Sequence, residues 1–91
     1  MRIHLGGKAW QLEPRAKLPA DRDGDCDPPD KPAKSIRIRA GLRGAHRLEV
    51  EIHELLHAAD WSKDETWVEA TAHDLARILW RLGYRLHKDG S

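Results

Sequence analysis

Leu48-Glu49-Val50-Glu51-Ile52-His53-Glu54-Leu55-Leu56-His57-Ala58-Ala59 is the stretch on which the reading of this chain turns. Leu48, Ile52, Leu55, Leu56 and Ala59 recur at i, i+4, i+7, i+8 and i+11. That spacing makes one apolar stripe on a helix, expected from about Ala45 to Asp60. Beside the stripe stands an HExxH pattern, His53-Glu54-Leu55-Leu56-His57. Residues four apart lie one above the other on a helix face, so both imidazoles can reach a single ion. Neutral imidazole nitrogen is a good zinc ligand, and an open zinc site takes three protein ligands and leaves a place for water. Glu54 is rotated by about 100° from His53. It is therefore expected not to ligate but to act as general base on water acidified by the ion.

A second helix follows. Val68, Ala72, Leu75, Leu79 and Leu82 form its apolar stripe, Ser62 is the expected cap, and Asp64 and Glu65 suit its first turn. Gly83 stands where a C-terminal cap belongs. The short link Trp61-Ser62-Lys63 predicts an antiparallel pair. Counting outward from that turn sets His53 opposite Glu69 and His57 opposite Glu65. Glu69 is the preferred third ligand because it lies deeper, where water is more easily excluded; Glu65, nearer the mouth, is the alternative. Asp60 and Asp64 read as caps or surface charges. A metzincin is excluded, since Asp60 and Lys63 stand where Gly and His would be needed.

Upstream, Arg2-Ile3-His4-Leu5 and Lys8-Ala9-Trp10-Gln11-Leu12 flank Gly6-Gly7, a hairpin signature. Residues 13–34 hold all five prolines and Asp21, Asp23, Asp25, Asp27 and Asp30, and read as an acidic, Pro-rich loop. Within it, Asp21 to Asp27 has the look of a calcium loop, but Cys26 stands in place of the Gly and Pro32 in place of the Glu, so a solvated acidic loop is expected. Cys26 is either a packed thiol or a thiolate that swings over the metal and holds the site latent. Ser35 to Leu42 alternates apolar and basic residues, with a strand over 36–42. As a sheet edge it could bind an extended peptide, with Arg37 and Arg39 favouring acidic side chains or merely blocking aggregation. His46 lies seven residues before His53, too far to share its ion but placed to line the cleft.

Ile52-His53-Glu54-Leu55-Leu56-His57-Ala58, with Glu69-Ala70-Thr71-Ala72-His73-Asp74-Leu75-Ala76, resembles minimal gluzincin-type zincin metallopeptidases. The second stretch is similar to the glutamate helix of ImmA/IrrE-type peptidases. The resemblance spans residues 35 to 83. It implies His53, His57 and Glu69 as zinc ligands, Glu54 as general base, and a peptide or protein substrate. Larger gluzincins carry Asp four residues after the glutamate ligand, where this chain has His73. His73 is then a candidate for oxyanion stabilisation or a plain surface residue.

Composition agrees with one small domain over residues 1–91, with a frayed tail at 87–91. At 10.4 kDa there is no room for two cores. Apolar residues make up 40% and charged residues 34%. With no Phe and a single Tyr, the four tryptophans are expected to supply most bulky packing. Sixteen basic and fifteen acidic residues leave +1, which argues against a polyanion binder driven by bulk charge, so nucleic acid is not an expected partner. No apolar run approaches a membrane span, no secretion signal is visible, and a lone cysteine fits the cytoplasm. The expected architecture is α+β: a small zincin-like fold whose short antiparallel or mixed sheet packs on two antiparallel helices. The alternative to a zinc peptidase is a non-enzymatic helical interaction module, touching protein or nucleic acid through Arg77, Arg81 and Arg85, with its metal structural or absent. A third reading is a zincin left latent until a partner completes it.

Overall fold

Paired glycines close the first turn. In the computed structural model, which describes residues 1–87, Gly6 and Gly7 have φ of 63° and 74°. They join β1 (Arg2–Leu5) to β2 (Lys8–Arg15) as an antiparallel hairpin. Two successive positive φ values match the twist of the flanking strands, and only glycine takes them without strain. β3 (Gly24–Cys26), β4 (Ser35–Arg39), α1 (Gly44–Ala59) and α2 (Glu65–Arg81) follow. The sheet order is β1-β2-β4-β3, with β2 and β4 parallel and β3 antiparallel to β4. The fold is α+β, a four-stranded mixed sheet with two helices.

Three local expectations are corrected. The segment 13–34 is not all loop, because β2 runs on to Arg15 and β3 lies inside it. Pro14 is tolerated in β2 for a simple reason. Gln11 N–H donates towards β4 at Lys34 O, and Leu12 N–H donates the other way to Met1 O. By alternation, Pro14 points its missing N–H past the end of β1, where no ladder bond is lost. Second, β4 is an interior strand, flanked by β2 and β3, so it offers no free edge. Third, Asp64 rather than Ser62 caps α2, its Oδ1 accepting from Trp67 N–H at 2.7 Å, while Ser62 bonds Asp60. Gly83, at φ 98°, follows the end of α2 as expected. Residues 88–91 of the expected tail lie outside the described part.

α1 lies against β3 and β4, and α2 packs on α1. Trp10, Ile36, Ile38 and Ala58 form the core between sheet and α1. Val68, Ala72 and Ala76 are fully buried on α2. Two alanines on that face let the helices approach closely. Only Trp10 of the four tryptophans is buried; Trp61 and Trp67 are 46% and 43% exposed. β-branched and alanine side chains fill most of the interior instead.

Candidate metal centre

α1 sets His53 and His57 on successive turns, their ring centroids 4.9 Å apart. Glu65, the first residue of α2, meets both. Its Oε1 is 2.9 Å from His53 Nε2 and its Oε2 is 2.9 Å from His57 Nε2. The three ligand atoms lie within 4.8 Å of one another. The histidine side chains are 21% and 17% exposed and the glutamate 62%, so the group opens to solvent on the Glu65 side.

Glu65, not the preferred Glu69, is thus the carboxylate brought to the histidines. Glu69 is exposed and joins no metal-ready group among the described residues. Asp60 to Asp64 make the connection, and the first turn of α2 falls level with the imidazoles. Glu65 lies three residues before Val68 on the face that carries the buried Val68, Ala72 and Ala76, and Glu69, one turn on, borders the same face, so helical spacing did not separate the two.

Glu54 turns towards β3 and is 7% exposed. Burial is the main cause that pushes its carboxyl up to about 7; the negative charges of Asp25 and Glu65 add to it, against Arg22 and Arg37. The close approach depends on Gly24. A Cβ there would stand 3.0 Å from both Glu54 Cγ and Val50 Cγ1, and 3.1 Å from the Arg37 carbonyl oxygen.

These groups share a cleft of about 530 Å³. Gly24, Asp25 and Cys26 of β3 form one wall, and Trp61 and Lys63 another. β3 has no apolar alternation to hold it. Its place is fixed by a clasp of acids on arginines: Asp23 on Arg39 at 3.1 Å, Asp25 on Arg37, and Asp27 on Arg37 at 2.6 Å. Arg37 holds the Asp27 carboxyl down at about 2, helped by the Ser35 N–H. Arg37 and Arg39 therefore spend their charge inside the domain, not on a substrate, and Asp23, Asp25 and Asp27 are clasp residues instead of a solvated or calcium-binding loop.

The remaining candidates fall elsewhere. Cys26 lines the cleft but is not in the metal-ready group; its Sγ donates to Asp27 O at 3.4 Å, and burial, with the charges of Glu54 and Asp27, pushes its thiol up to about 12. His73 Nδ1 pairs with Glu49 Oε1 at 3.1 Å and does not line the cleft, so it is not set to stabilise an oxyanion there. His46 Nε2 bonds Asp23 at 2.8 Å instead of lining the cleft. Arg85 lies on the Trp80 ring and donates to two backbone carbonyls, which separates it from Arg77 and Arg81. No helix among the described residues is long and apolar enough to cross a membrane. No protein-family model, curated protein or solved structure matches the chain.

Proposed function

We propose that this chain is a zinc-dependent peptidase whose metal is held by His53, His57 and Glu65. The observation that carries the reading is the convergence of two imidazole nitrogens and one carboxylate on a single point, with the buried Glu54 carboxyl in the same cleft. Two nitrogens and one oxygen form the donor set of open catalytic zinc sites, so the residues fit the ion. Bound there, zinc supplies Lewis acidity, which lowers the pKa of water and polarises a carbonyl.

The chain's own residues do the rest. Glu54 accepts a proton at its carboxylate and returns it to the leaving amine. Its burial between α1 and β3 keeps bulk water from competing for that proton. β3 is an edge strand along the cleft, and an extended peptide can add to such an edge through main-chain hydrogen bonds. Trp61 offers an apolar wall for a side chain beside the metal ligands.

The test uses chelator-stripped protein reloaded with zinc. One zinc per chain by elemental analysis, and cleavage of an unstructured protein substrate such as casein, are expected. Glu54→Gln keeps the zinc and loses roughly 10²–10⁴-fold in rate. Failure to bind stoichiometric zinc, or undiminished cleavage by Glu54→Gln, overturns the reading.

A further inference from the structure

The C-terminal half of α2 carries a second apolar stripe that the described residues leave exposed. Val68, Ala72 and Ala76 face α1. Beside them, Thr71, Leu75, Ile78 and Leu82 recur at spacings of four, three and four, the rhythm of a coiled-coil seam. Leu75, Ile78 and Leu82 are 38%, 53% and 68% exposed. Three large aliphatic side chains in a row on one helix face form a patch of the kind that marks an interaction site.

The open flank of this stripe is charged. Asp74 and Arg81 border it, and Arg77 lies one step further round. None of the three has an ion-pair or hydrogen-bond partner among the described residues, although Asp74 and Arg77 are three apart on the helix. Asp74 and Arg81 sit at nearly equal distances along the axis on either side of Ile78. That arrangement is complementary to itself under a two-fold axis.

We infer that the occupant is a second copy of this chain, packed antiparallel through α2 with Ile78 near the two-fold. Leu75 then meets Leu82 of the second copy, and Asp74 meets its Arg81, twice by symmetry. A two-fold perpendicular to the helix keeps the same flank on the same side, so the charges pair in reversed order. A parallel pairing, with its two-fold along the helix axis, carries this flank to opposite sides of the seam, so Asp74 and Arg81 do not meet across it. The metal-ready group lies at the opposite, N-terminal end of α2. The inference does not depend on the peptidase reading.

Sedimentation across a dilution series tests it. The wild type is expected to show a concentration-dependent monomer–dimer equilibrium. Ile78→Asp abolishes the dimer while its circular dichroism stays that of the wild type, because the side chain is exposed. Asp74→Arg and Arg81→Asp each weaken association roughly tenfold, and the double reversal restores it. A wild type that stays monomeric throughout overturns the inference, including one that binds anionic vesicles or another protein through the same face. Single reversals without effect, or a double reversal that fails to recover, overturn the antiparallel register.

Discussion

Changing Asp27 to Asn tests whether the acid–arginine clasp holds the cleft wall. The Asp27 side chain is 8% exposed and that of Arg37 18%, so solvent screens the pair little. Arg37 Nη2 donates to Asp27 Oδ1 at 2.6 Å, and the Ser35 N–H donates to Oδ2 at 2.8 Å. The folded carboxyl sits at about 2 against an ordinary value of 3.8. Just under two pH units corresponds to roughly 2.5 kcal/mol of stability at neutral pH. The folded carboxyl binds its proton less tightly than the unfolded one. This contribution is therefore complete above about pH 5 and falls as the pH drops through 4 towards 2; roughly half of it is gone by pH 3. Urea unfolding of wild type and Asp27→Asn, followed from pH 7 to pH 3, is the assay. The variant should be less stable by roughly 2–3 kcal/mol at pH 7, equivalent to a fall in Tm of roughly 10–20 °C. The gap should narrow to about half at pH 3. Glu13, Asp23 and Asp60, also held below the usual carboxylate range, are common to both proteins and cancel in the difference. A gap that stays constant with pH, or no gap at pH 7, refutes the reasoning.

Three further outcomes are expected. Glu65→Ala should lower zinc affinity by roughly 100-fold or more, since even an outer partner of a ligand is typically worth 10–100-fold, while Glu69→Ala leaves it unchanged; competition with a chromogenic chelator reads both. Gly24→Ala should cost roughly 1–3 kcal/mol in urea unfolding, because one of the three atoms crowding the new Cβ is backbone, and it should slow hydrolysis by displacing Glu54. Cys26 in the native protein at pH 8 should react with iodoacetamide on the order of 10²–10³-fold slower than in urea, where its thiol regains an ordinary pKa; equal rates would show that the thiol is not held in its buried place.

Local spacing settled a good part of this molecule. Helical periodicity placed α1 to within a residue or two and set His53 and His57 on one face, because an i, i+4 pair needs only the helix itself. Gly6-Gly7 likewise specified the hairpin through its own dihedral angles. What local spacing left open depended on partners distant in the chain. β3 is three residues, Gly-Asp-Cys, with no pattern of its own; it exists because β4 offers a ladder and Arg37 and Arg39 hold its acids. Pro14 disguised the end of β2, since its missing N–H is harmless only where β1 has already ended.

The third ligand is the sharpest case. Glu65 and Glu69 are one turn apart on nearly the same face, so periodicity treats them alike. The cap at Asp64 and the Asp60–Asp64 connection decide how far α2 is advanced along α1, and that offset of one turn selects Glu65. Sequence alone determines which side chains share a helix face, because a helix is a local object. Which faces meet, and at what height, is decided by the packing of the whole chain, because a few residues of connection shift every contact across the interface together.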